Sequence, residues 1–555
     1  MSHLADLGST QVLAIKQEFK ISSTQGGFSG VLDAGDNFGY SLCSLDNDRL
    51  VVAAPLDDDG GTDQGAVWVL VVSGNSVASW VKISEGSGGF LGVLDVNDRF
   101  GEGVASFESA TVGDLDGDGI TDLAVGAPGD DDGGVDQGAV WILFLTSSGQ
   151  VSSHVKISET TGGFTDTFDP GDGFGSSLAT IGDLDADGIP DLAVGAANAG
   201  QTFHEGALWI LFMNANGTVR AQQKVTEGVG GFTGPLTTNG RFGVSLAGFM
   251  PEVMGDLDGD SVADLVVGAM SEGSSSEGAI WTLFLNTDGT VKSEQMISST
   301  AGGLAGPLTT SDYFGRSLGS ADFDGDGELE IAVGAPGDDY FLDTDQGAVW
   351  ALRLNTDGTV AAEEKVTDIG GVCPGIAGPL DAQDFFGAPV FLRTAGQPTL
   401  AVGARNDDDG GFDAGAVWVL RITPESTATA VPYNACINPN SDILTCTSAR
   451  LSQTWTSTVT RSPITGPGAF TLLVRPTRLL PCNGVQAPPP VQGRVLISGP
   501  LLTTLSGVHN GTTGSVSAMI PCLSSLVGIH WAAQAVLNGP GVKLSSAVEG
   551  LVGTL

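Results

Sequence analysis

The sequence is poor in basic residues. Lysine and arginine total 22 against 65 aspartates and glutamates, a formal net charge of −43 over 555 residues. Such a surface repels nucleic acid phosphates and anionic lipid and attracts cations, so nucleic acid is excluded as a partner and divalent ions or basic proteins come first. No run approaches the ~20 apolar residues of a membrane helix, which argues against membrane insertion. The five histidines (His3, His154, His204, His509, His530) form no cluster with cysteines, and this argues against zinc. There is no Gly-x-Ser-x-Gly elbow, no phosphate-binding Gly-Lys-Ser/Thr loop and no His-Glu-x-x-His. The expectation is therefore a protein that is not an enzyme. The first residues, Met-Ser-His-Leu-Ala-Asp-Leu-Gly, lack the basic start and apolar stretch of a signal peptide.

Cysteine is also scarce. Cys43 and Cys373 stand far apart, while Cys436, Cys446, Cys482 and Cys522 lie in the last 120 residues. Four cysteines allow three connectivities; proximity favours Cys436–Cys446 and Cys482–Cys522, with buried thiols as the alternative.

Glycine is what the chain has in plenty, 83 residues beside 25 prolines, without a collagen period. They punctuate a repeat. Phe-Gly opens six copies, at Phe38, Phe100, Phe174, Phe242, Phe314 and Phe386. Gly-Ala-x-Trp closes them at Trp68, Trp141, Trp209, Trp281, Trp350 and Trp418, every 68 to 73 residues. In copy two, strands are expected from Phe100, over Asp122–Pro128, Gly138–Leu145 and Val151–Ser158. Four short antiparallel strands per copy make one propeller blade. Copy six stops after its third strand, and Gln11–Ser22 matches the fourth strands elsewhere, so the N-terminal strand should close the ring. The expected fold is all-β: a β-propeller of six four-stranded blades, followed by a small C-terminal β-sandwich.

Copies two to five carry an acidic run between their first two strands. Asp114, Asp116 and Asp118 form the first, Asp183, Asp185 and Asp187 the second, Asp256, Asp258 and Asp260 the third, and Asp322, Asp324 and Asp326 the fourth. Acids at alternate positions of a tight loop turn three carboxylates inward, which suits calcium with its six to eight oxygens and forgiving geometry better than magnesium. Ser261 replaces the loop glycine in the third run, so a weaker site is expected there. Copies one and six have no complete run.

These motifs resemble the FG-GAP repeats of the integrin α-subunit β-propeller over residues 1–422. The resemblance implies a backbone carbonyl ligand at Ile120, Ile189, Val262 and Glu328, and a further carboxylate at Asp122, Asp191, Asp264 and Glu330. It implies about four structural calcium ions on one face of the disc and partner binding on the other. The acidic turns at Asp57–Asp63, Asp130–Asp136, Asp338–Asp345 and Asp407–Asp413 would line that second face, with Gly26–Gly30 and Gly89–Gly92 beside them. They could bind cations, a basic protein or sugar hydroxyls, or be solvated turns. Integrin propellers have seven blades where six copies are counted here, and a degenerate seventh blade is the alternative.

Residues 423–435 read as a linker and 436–555 as a C-terminal β-sandwich-like domain. Asn216 and Asn510 head glycosylation sequons. The leading expectation is a secreted or cell-surface propeller, working in adhesion or matrix binding with an extracellular protein or glycan ligand. The alternatives are a calcium-stabilised lectin-like propeller and, behind it, a polysaccharide-acting enzyme.

Overall fold

In the computed structural model the described residues run from 14 to 423, apart from 47, 108–113, 201–202, 250–255, 322–329, 340–344, 368–379 and 395–396; beyond 423 only strand backbones between Thr427 and Leu551 are described. The chain divides into two compact units. One comprises Ile15–Asp368 with Gly378–Ile422, the other Met1–Ala14, Ile369–Ala377 and Thr423–Leu555.

The first unit is a propeller of six four-stranded antiparallel blades. An isolated first strand, β1 (Ala14–Ile21), is followed by blade one: β2 (Leu42–Ser44), β3 (Arg49–Ala54), β4 (Ala66–Ser73) and β5 (Ser76–Ile83). Blade two holds β6 (Val104–Ser106), β7 (Leu123–Ala127), β8 (Ala139–Leu145) and β9 (Val151–Ile157). Blade three holds β10 (Ser177–Thr180), β11 (Leu192–Ala196), β12 (Ala207–Met213) and β13 (Val219–Val225). Blade four holds β14 (Phe242–Phe249), β15 (Asp264–Ala269), β16 (Ala279–Leu285) and β17 (Val291–Ser298). Blade five holds β18 (Ser317–Ala321), β19 (Glu330–Ala335), β20 (Ala348–Leu354) and β21 (Val360–Val366). Blade six has β22 (Phe386–Thr394), β23 (Gln397–Ala404) and β24 (Ala416–Thr423), and its fourth strand is β1, paired with β24.

Burial follows position in the blade. Strands β8, β12 and β16 are buried along their whole length, because both faces lie against neighbouring blades. The fourth strands β9 and β13 are the outer edges and expose their middles. Each tryptophan fills the gap to the next ring of the repeat. Trp141 sits edge-on to Phe90, which stacks on Phe100 at 5.1 Å; Phe232, Phe242 and Trp281 repeat the arrangement. Full burial of such rings contributes roughly 1.5–3 kcal/mol each.

Glycine is required where backbones of adjacent blades touch. A Cβ on Gly126 would lie 1.8 Å from the carbonyl oxygen of Gly175, and one on Gly403 would lie 1.8 Å from that of Gly39. Gly138, at φ +89°, forms a parallel bridge with Phe174 of the next blade, and Gly415 forms the same bridge with Phe38. That last contact joins blade six to blade one, so the ring closes at six. Serines bolt the same seam: Ser41, Ser177 and Ser245 donate to the carbonyls of Gly101, Gly243 and Gly315 at 2.6–2.7 Å.

The second unit is all-β. Its nine strands form one sheet, ordered by chain position as second, fourth, seventh, sixth, fifth, eighth, ninth, first and third. The Cys43 side chain is buried in blade one. Cys373 and the proposed cysteine pairs fall outside the residues whose side chains are described. Among the described residues no helix is long and apolar enough to cross a membrane.

Candidate metal centres and the opposite face

Antiparallel order puts the loops between first and second strands on one face of the disc, and the turns between second and third strands on the other. The acidic runs occupy the first face. In blade two, Asp114 Oδ1 accepts from the Gly117 amide at 2.7 Å and Asp118 Oδ1 from Ile120 at 2.8 Å. Asp183 accepts from Asp187 and Gly188 at 2.9 and 2.8 Å, and Asp187 from Ile189 at 3.0 Å. In blade four, Asp260 accepts from Val262 at 2.9 Å. These local bonds curl each loop so that its carboxylates converge.

Ligand atoms of Asp114, Asp116 and Asp122 lie within 4.8 Å of one another, as do those of Asp183, Asp185 and Asp191, and those of Asp256, Asp258 and Asp260. The last acid of each of these loops is buried, Asp122 and Asp191 just ahead of the second strand and Asp264 as its first residue. Asp122 Oδ1 accepts from Leu145 at 3.1 Å, and Asp191 from Met213 and Leu184 at 3.0 and 3.1 Å. Asp264 Oδ2 accepts from Leu257 at 3.2 Å. Burial first, and then repulsion from the other loop acids, pushes Asp122, Asp191 and Asp264 up to about 7.

One buried carboxylate oxygen per loop has no hydrogen-bond partner: Asp122 Oδ2, Asp185 Oδ1 and Asp264 Oδ1. Basic side chains at the start of the fourth strand stand where a cation would. The Arg220 guanidinium bridges Asp185 and Asp187 at 2.5 and 2.9 Å, and Lys292 bridges Asp258 and Asp260. Blade two has Ser152 at that position. Converging hard oxygens, orphaned acceptors and opportunistic cations fit a divalent hard ion. Asp322, Asp324, Asp326 and Glu328 lie outside the described residues; Glu330 opens β19 and is buried. Blades one and six lack such a loop. Asp46 pairs with Arg49 at 2.6 Å, and β22 and β23 stay paired to Thr394 and Gln397.

The opposite face differs from expectation. The first aspartate of each acidic turn is buried and committed. Lys156 Nζ lies 2.5 Å from Asp130, 2.6 Å from Asp132 and 5.3 Å above the Trp141 ring. Lys82 is held by Asp57 and Asp59 over Trp68, Lys20 by Asp407 and Asp409 over Trp418, and Lys365 by Asp338 over Trp350. The sequence signal was a fourth strand ending Lys-Ile/Val-Ser/Thr, with the lysine opposite the tryptophan in register. Phe28 and Phe90, in the segments expected to lie beside the second face, are buried against Phe38 and Phe100. Tyr40, Glu102, Ser176, Val244 and Arg316, each two past a repeat phenylalanine, line an axial cavity, and Ala388 lines the smaller recess beside it.

FG-GAP repeat models match residues 106–143, 174–211, 253–283 and 314–352, and a second FG-GAP model matches 32–70. The chain carries FG-GAP repeats, and they build an integrin-like propeller. Integrin alpha-7 of Homo sapiens is 33% identical over 166 residues, 30% of this chain and 12% of that protein. Phosphatidylinositol-glycan-specific phospholipase D of Bos taurus is 32% identical over 162 residues, covering 29% of this chain and 18% of the enzyme. Its Homo sapiens counterpart is 28% identical over 230 residues, 41% of this chain and 26% of the enzyme. The chain thus spans no more than about a quarter of these relatives' length. Similarity divides between a named enzyme and integrin α chains. Among solved structures, an ancestral GH74 enzyme aligns over 96% of this chain and 81% of its own at 10% identity, with a TM-score of 0.26, too low to carry an argument.

Proposed function

We propose that this chain is a calcium-stabilised binding propeller of the extracellular space or cell surface, engaging a protein or matrix partner. Residues 1–422 form the propeller, 423–435 a linker and 436–555 a separate C-terminal domain. The observation that carries the metal reading is the orphaned buried carboxylate oxygen in each of the three described loops. About four calcium ions would be held by the acids and carbonyls of blades two to five. The bound ion neutralises repulsion among four acids and ties the first strand to the second, so binding free energy becomes folding free energy. The protein's own part is to hold the loop curled through backbone amides and to keep the last carboxylate buried.

Support for a binding face comes from the other side of the disc. Phe412 (72% exposed), Val135 and Phe203 protrude from its turns, and Leu91 (81% exposed) and Val93 from the connector beside them. Apolar groups presented among acidic turns suit a protein partner. The acids recur blade by blade, which fits a shared structural duty better than a single catalytic site. The test has two arms. Calcium titration should show about four sites and a melting temperature that falls by many degrees in chelator; an unchanged melt sinks the metal reading. A matrix-protein and glycan array in millimolar calcium should give a protein hit, whereas hits confined to sugars would make it a lectin.

A further inference from the structure

Four of the propeller's arginines gather at its axis, in a chain that has few cations to spare. Arg99, Arg241 and Arg316, from blades two, four and five, line an axial cavity of about 250 Å³ together with Tyr40, Glu102 and Asn198. Arg405 of blade six lies directly behind it, sharing Tyr40 and Arg316 with a smaller adjoining recess. The cavity lies on the face of the acidic turns, away from the metal loops.

The flat faces of two of these guanidinium groups are already used. Arg316 lies 4.9 Å from the Tyr40 ring, and Arg405 lies 5.6 Å from Tyr40 and 4.6 Å from Phe385. Stacking fixes the planes and leaves the N–H edges available. Arg316 gives one N–H to the Tyr40 hydroxyl. Arg99 reaches Glu102 at 3.8 Å. Among the described residues, Arg241, Arg316 and Arg405 make no ion pair within 4 Å. Burial first, and then the Arg316 charge, lowers Arg405 to about 10. Glu102 and Asp136 are the acids of the same lining, so three arginines there and Arg405 behind them leave an excess of positive charge in a strongly negative molecule.

We propose that this axial socket binds a small tetrahedral oxyanion, a sulfate or phosphate group, free or as the ester on a sugar. A lone carboxylate is satisfied by one guanidinium fork. Edges converging from three or four blades match a group with oxygens pointing in several directions. The net negative field of the disc acts against approach at low ionic strength but is screened beyond about 8 Å at physiological salt, so recognition rests on contact.

The test is calorimetric titration of the full chain in millimolar calcium at fixed ionic strength, with inorganic sulfate and with galactose 6-sulfate as probes. Saturable binding of one probe molecule per chain is expected. Arg241→Ser and Arg99→Ser, both at exposed positions, should together weaken it at least tenfold while leaving the urea midpoint without anion unchanged. Equal affinity for the two probes assigns the socket to the free anion, and at least tenfold tighter sugar ester binding assigns it to a sulfated glycan. No saturable binding of either probe up to 10 mM, or binding unchanged in the double variant, overturns the proposal.

Discussion

Replacing Lys156 by methionine isolates the clamp that recurs across the acidic face. The lysine side chain is 18% exposed, Asp130 is 3% exposed and Asp132 is 45% exposed. Burial opposes the lysine charge, but hydrogen bonds and attraction to both aspartates outweigh it and hold its pKa above the ordinary value. Methionine keeps the stem packed on Trp141 and removes only the charge, leaving Asp130 buried with no cation. Breaking one side of a buried pair costs about 3–5 kcal/mol. The exposed arm to Asp132 is worth less than about 1 kcal/mol. Part of the Asp130 charge is still satisfied, since Oδ1 accepts the Asp132 amide at 2.9 Å. Together these give a loss of about 3 kcal/mol, read as a shift in urea midpoint at pH 8. Asp130→Asn in the same background should restore most of it, a coupling of about 2 kcal/mol. The chain contains its own control, for blade four has Met296 opposite Trp281, and there the turn acid is Glu272, bonded to Thr237. A Lys156→Met midpoint within about 0.5 kcal/mol of wild type, on the scale of ordinary surface substitutions, would refute the clamp.

Other perturbations test other parts. Asp36, Asp98 and Asp384 are buried in the connectors and, through burial above all, pushed up to about 7. The folded form takes up protons between that value and the ordinary aspartate value of about 3.8, so in chelator stability should rise as pH falls from 8 to 5; a melting temperature that falls over this range contradicts the assignment. Ser261 holds φ +68° where the loops of blades two and three have Gly119 and Gly188, and Ser261→Gly should add about 0.5–1 kcal/mol of apo stability by relieving left-handed strain, measured by urea melts. Arg220 competes for Asp185 and Asp187, so Arg220→Ser should tighten calcium binding at blade three, seen as a leftward shift of one site in a titration; no shift would mean the guanidinium swings clear at no cost. Gly126→Ala should abolish soluble expression of the ring, because no rearrangement short of separating blades two and three clears the Gly175 carbonyl.

What the residues disclosed in advance was whatever repeats. Phe-Gly and Gly-Ala-x-Trp located every blade, because each marks a seam where backbone or ring must fit a neighbour. Gln11–Ser22 disclosed closure, because it completes a pattern that copy six leaves short. Three acids converge in each loop of blades two to four, but only blade four groups the alternate acids Asp256, Asp258 and Asp260 that the spacing implied; in blades two and three Asp122 and Asp191 join the first two acids in place of Asp118 and Asp187. Contacts between unlike elements stayed hidden. The Lys-Ile/Val-Ser/Thr ending marks a recurring lysine, but it does not say that the lysine will pair with turn aspartates elsewhere in the chain. The connector phenylalanines sit between glycines, so they resembled surface loop while packing inside the next blade. The axial arginines share no repeat position, since Arg99 and Arg241 precede their Phe-Gly pairs, Arg316 follows one and Arg405 follows β23, and only the ring geometry shows that Arg316 and Tyr40 meet.

Closure by β1 has a consequence for biosynthesis. The strand that completes blade six leaves the ribosome first, and its partner β24 leaves some four hundred residues later. Until then blades can form and stack in sequence but the disc stays an open arc, with β1 and blade one lacking their neighbours. Nascent chains therefore carry an unpaired edge for most of their synthesis, and a chain cut before Ala416 can never seal. Clipping ahead of Ile21 would reopen a finished ring at the same seam, so protease sensitivity near the N-terminus reports directly on whether the disc is shut.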